Sequence, residues 1–103
     1  QPYLRCLLQL SRDMNTEDII KQASDYFGTD VTQSTKFQTP LWDAKCSVVR
    51  YLVADKNVPY TELHGPLNCT SNELWFLRVH GDNKMMIPAF RNTYNEFVNT
   101  LNP

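Results

Sequence analysis

The sequence predicts an α+β domain in which helices come first and a C-terminal β-hairpin with a closing helix comes last. Three observations carry this. Apolar residues recur at helical spacing through the first half; two apolar runs, residues 73–80 and 84–89, alternate like strands about Gly81-Asp82-Asn83; residues 92–101 then return to helical spacing. With 103 residues the chain has the size of one domain with one core, spanning residues 1–103.

Residues 2–11 set Tyr3, Leu4, Leu7 and Leu8 on one side and Arg5 and Gln9 on the other, the pattern of a short helix. The next helix is the best marked. Asn15 caps it, Glu17 and Asp18 suit the positive end of its dipole, Gly28 suits its exit, and Ile19, Ile20, Ala23, Tyr26 and Phe27 form one stripe. Residues 28–38 are polar and aperiodic, a loop in which only Val31 and Phe37 are expected to be tucked in. At Thr39-Pro40 a capping hydroxyl precedes a proline whose missing N–H costs nothing in a first turn, so a third helix starts there. It presents Trp42, Cys46, Val49 and Val53 in one row and Val48 and Leu52 in an adjacent one, a broad stripe suited to the middle of the core. Asn57 and Pro59 lie beyond its end.

Residues 59–63 fit a short edge strand, since Tyr60 and Thr61 favour extended backbone and proline is tolerated at a strand start. Gly, Pro, Asn and Ser cluster in residues 64–72, which read as a connection. In the first hairpin run Trp75, Leu77 and Val79 share one face and Leu74 and Phe76 the other, while Pro88 ends the pairing. The last helix takes Asn92 or Thr93 as its cap and buries Tyr94, Phe97, Val98 and Leu101. Helices followed by a hairpin also describe a winged helix.

Composition excludes several classes. At 42% hydrophobic and 20% charged residues the chain is globular in type, neither disordered nor fibrous. Ten Lys and Arg are interspersed with eleven Asp and Glu, so the basic stripe that usually neutralises phosphates is missing. No apolar run approaches the roughly eighteen residues that span a bilayer, and no membrane partner is expected. Because the chain opens at Gln1, it is expected to be a piece of a longer protein. Cys6, Cys46 and Cys69 are odd in number and widely spaced, which favours reduced thiols and an intracellular setting, cytoplasmic or nuclear, over a disulfide scaffold. Against that stands Asn68-Cys69-Thr70, a glycosylation sequon that would mark a secretory context.

No catalytic signature emerges, and neither a cofactor nor a metal is expected. Cys46 would need an adjacent base such as His64 or His80 to act as a nucleophile, and its place in an apolar row suits a core residue better. A thioredoxin-like role lacks the paired cysteines, and Cys6, Cys46, His64, Cys69 and His80 lack the close ligand pairs of a zinc site. What remains is apolar surplus in the last third. The expected function is therefore a non-enzymatic interaction domain that uses Trp75, Met85, Met86, Ile87 and Phe90 to contact a protein partner or a second copy. The alternatives are a winged-helix nucleic-acid binder using Lys45 and Arg50, and a small cysteine-dependent enzyme built on Cys46.

Overall fold

The computed structural model describes residues 14–34 and 39–101. Helix α1 spans Thr16–Phe27 and α2 spans Pro40–Arg50, running on through a π-helical turn at Tyr51–Asp55. A 3-10 turn at Tyr60–Glu62 leads into the short α3, His64–Leu67, followed by α4, Ser71–Lys84, and α5, Pro88–Leu101. There is no strand among the described residues, so the expected α+β class, the edge strand, the hairpin and the winged-helix order are all overturned. The helix expected over residues 2–11, and Phe37 in its loop, lie outside the described residues.

The first two described helices form where their caps predict. Asn15 Oδ1 accepts from Asp18 N at 2.8 Å, and Gly28 leaves α1 in the left-handed region at φ 69°. Ile19, Ile20 and Ala23 are its buried stripe. At the start of α2, Thr39 Oγ1 accepts from Trp42 N at 3.1 Å and Pro40 occupies the first turn. Its residues 44–49 are all buried, which makes α2 the central element. The π turn that follows, closed by Lys56 N donating to Tyr51 O at 3.0 Å, carries the chain to Asp55, whose Oδ2 accepts from Tyr94 OH on α5 at 2.8 Å.

Residues 71–84 are helical because their buried positions follow the helical period. Leu74, Leu77 and Gly81 face inward at i, i+3 and i+7, and the apparent alternation of Trp75, Leu77 and Val79 is incidental to that spacing. A capping box starts the helix: Glu73 N donates to Thr70 Oγ1 at 3.2 Å, and Thr70 N donates to Glu73 Oε1 at 3.1 Å. Gly81, expected at a hairpin tip, sits inside α4 because it packs on α2. A Cβ there would lie 3.0 Å from the Cys46 carbonyl oxygen and 3.2 Å from Arg50 Cβ. Pro88, expected to end a strand, opens α5, so that helix starts earlier than a cap at Asn92 or Thr93 would place it. Within α5, Glu96 Oε2 accepts from Tyr26 OH on α1 at 3.2 Å.

The core is contiguous. Ile19, Val48, Val49, Leu52, Leu63, Leu67, Leu74, Leu77 and Phe97 are almost completely removed from solvent, joining the five described helices and the 3-10 turn's exit.

Candidate functional site

The 3-10 turn and α3 make a short helical segment over residues 60–67, which a three-residue turn over 68–70 joins to the 14-residue α4. The turn is tightly specified. Asn68 takes a left-handed conformation at φ 54°, its N–H closing on Gly65 O and His64 O, and the buried Cys69 thiol donates to Leu67 O at 3.3 Å. His64 Nδ1 donates to the Cys69 carbonyl at 2.9 Å, so in the neutral ring Nε2 is an acceptor, and Ser71 Oγ donates to it at 3.0 Å. A serine donating to an oriented imidazole is also the beginning of a nucleophilic pair. Here Ser71 is exposed, the described cavity is lined by other residues, and the contact fastens the turn to the first residue of α4.

The outer face of α4 is uncovered. Trp75 and Phe76 are 52% and 50% exposed, in edge-to-face contact at 5.5 Å, and Phe76 stacks on His80 at 5.8 Å. Asn72, Trp75, Phe76, Val79 and Asn83 share this face by helical spacing, with Val79 half-buried and the others exposed. Phe76 was not among the expected partner-binding residues, because strand alternation put it opposite Trp75; helical spacing makes them neighbours.

The expected apolar surface is divided. Met86 is 83% exposed and Ile87 50%, but both lie in the turn between α4 and α5 and not in a strand. Met85 is half-buried against the core and Phe90 stacks on Tyr94. Trp75 stands eleven residues before Met86, about 16 Å along a helix, so it belongs to another surface. Ile87 and Phe90, with Phe27, Pro40 and Ala44, line an open cavity of about 350 Å³ whose wall includes Asp43 and Lys84, paired at 2.9 Å.

Lys45 and Arg50, the expected phosphate-contacting residues, have internal tasks. Lys45 is buried and its Nζ donates to Gln33 O at 2.7 Å, tying down the loop after α1. Arg50 pairs with Asp82 at 3.0 Å and lies over the Tyr94 ring at 4.9 Å. Cys46 is buried and burial pushes its thiol up to about 12, leaving essentially no thiolate at neutral pH. No grouping of three or more His, Cys, Asp or Glu suited to a metal occurs among the described residues, and no described helix is long and apolar enough to cross a membrane. Comparison with protein-family models, curated proteins and solved structures gave no match to this chain.

Proposed function

We propose that this is a non-enzymatic, all-helical binding domain that contacts a protein partner through the outer face of α4. The observation that carries this reading is the pair Trp75–Phe76, two adjacent aromatics half open to water on a helix whose inner face is well packed. Aromatics of this kind dominate protein-contact energetics, and an exposed apolar patch tends to mark such a contact. Charge supports the same choice. Over residues 60–84 the acidic Glu62, Glu73 and Asp82 outnumber the basic Arg78 and Lys84, and both cations are already paired with carboxylates. An intracellular setting is part of the reading, supported by the buried, unpaired thiols of Cys46 and Cys69. The sequon is accounted for without a glycan: Asn68 shapes the turn, Cys69 is core and Thr70 caps α4.

Selection of binders from a displayed random-peptide library tests the reading. Enriched peptides should lose at least about tenfold in affinity, about 1.4 kcal/mol, toward the Trp75→Ala/Phe76→Ala double variant while its circular dichroism is unchanged. Equal binding to both proteins would refute it.

A second reading, duplex nucleic-acid binding, is favoured by the exposed start of α4, a long helix that follows a short helical segment and a tight turn. Where a helix enters the major groove by its N-terminal end, its first residues meet base edges, here Ser71 and Asn72, both exposed and of types that hydrogen-bond bases. It predicts duplex binding at low ionic strength that weakens steeply with salt and is reduced by Asn72→Ala. Fluorescence anisotropy on a labelled random-sequence duplex decides it, and an absence of binding at low salt removes it.

A further inference from the structure

We propose that the cavity between the start of α2 and the start of α5 is a binding site for a free apolar α-amino acid, held as its zwitterion. Trp75 and Phe76 do not line it, so it is independent of the protein-contact reading above. Among the described residues its apolar wall is Phe27, Pro40, Ala44, Ile87, Ala89 and Phe90. These come from the end of α1, the first two turns of α2, the turn after α4 and the first turn of α5. Counting about 30 Å³ for each water-sized group, 350 Å³ takes about a dozen non-hydrogen atoms, a ligand of the size of leucine or phenylalanine. Small-molecule sites are mostly apolar hollows with a few placed polar groups, and this hollow has two of opposite sign.

That pair selects the charge of the ligand. Asp43 Oδ1 is closed off from water and meets Lys84 Nζ at 2.9 Å, so the exposed 47% of the Asp43 side chain lies on its other atoms, where Oδ2 remains to accept. Lys84 Nζ, held 5.8 Å from the Phe90 ring, carries three donors and has one ion pair among the described residues. A ligand with only a carboxylate gains Lys84 but meets the Asp43 charge beside it, and a ligand with only an amine meets the reverse. A zwitterion escapes both penalties. Its two charged groups stand two bonds apart, about 2.5 Å by standard bond lengths, close to the spacing of the pair itself. Turned end for end on the pair, its ammonium faces Asp43 Oδ2 and its carboxylate faces Lys84 Nζ, while Asp43 and Lys84 keep each other. The apolar side chain then enters the hollow.

Titration of the whole chain with L-phenylalanine, followed by backbone-amide NMR, tests this. The expected result is saturable binding with a Kd of about 1 mM or tighter, the level that about a dozen ligand atoms of ordinary efficiency support. Amide shifts should centre on Asp43, Ala44, Lys84 and Phe90. Phenylpropionate and phenethylamine, each lacking one charge, and glycine, lacking the apolar group, should bind at least about tenfold more weakly. Lys84→Gln should erase the preference for phenylalanine over phenethylamine. Ala89→Trp, which enlarges an exposed wall residue, should fill the hollow and abolish binding with circular dichroism unchanged. The absence of saturable shifts by about 10 mM phenylalanine overturns the proposal. So does a singly charged analogue that binds equally well, a preference untouched by Lys84→Gln, or binding that survives Ala89→Trp.

Discussion

Gly81 controls how closely α4 approaches α2. Its absent Cβ leaves room for the Cys46 carbonyl and the Arg50 side chain, both of which a methyl group would meet at or just above 3 Å. Gly81→Ala would improve helix propensity on an exposed helix, but here the clash with backbone wins. The expected net loss is about 1–3 kcal/mol, read as a lower urea midpoint with an unchanged slope. Cys46 gives a second residue-scale prediction. Its thiol is raised from an ordinary value near 9 to about 12, so the neutral form is favoured in the fold. Stability from this group is fully present below pH 9 and is lost as pH rises toward 12, by up to about 1.4 kcal/mol per unit. Tyr94, raised by burial and by its hydrogen bond to Asp55, acts in the same direction. Urea midpoints should therefore be flat from neutral pH to about 9 and decline beyond it, and Cys46 should react with maleimide only when denaturant is added. A thiol modified at once in the folded protein would contradict this.

At the scale of elements, α4 depends on its first turn. Thr70 and Glu73 satisfy one another's backbone donors, and Ser71 is held by His64, so the turn and the helix start are one hydrogen-bonded unit. Thr70→Ala should cost about 0.5–2 kcal/mol, and thermal unfolding followed by far-ultraviolet circular dichroism measures it. The outer face behaves oppositely. Trp75→Ala/Phe76→Ala removes only half-buried ring contacts and should cost about 1 kcal/mol, well below the roughly 3–5 kcal/mol of truncating a fully buried aromatic. A large loss would mean that these rings pack in solution more than their exposure implies.

For the molecule as a whole, what was legible depended on how locally each signal was encoded. The caps at Asn15, Gly28 and Thr39-Pro40, and the broad apolar stripe of α2, act within a few residues and predicted the first two described helices. The last third misled because its local signals point both ways. Gly81-Asp82-Asn83 is as good a tight turn as it is a close-packing site, and Leu74–Val79 alternates as a strand would while also placing Leu74 and Leu77 one helical turn apart. The capping box spelled by Thr70 and Glu73 was the local clue that favoured the helix. The expected partner surface fared likewise: Trp75, Met86 and Ile87 are exposed, but on two surfaces and not one, and Phe76 was missed for want of the helical period. Lys45 and Arg50 were unreadable because their partners, Gln33 and Asp82, are twelve and 32 residues away. By itself the sequence determined a cored chain with an even mix of charge and two well-capped helices, since composition and caps are properties of near neighbours. Only tertiary structure decided that residues 71–84 are helical, that their glycine serves packing, and that Trp75 and Phe76 are left facing water, because each depends on whether α2 lies behind them.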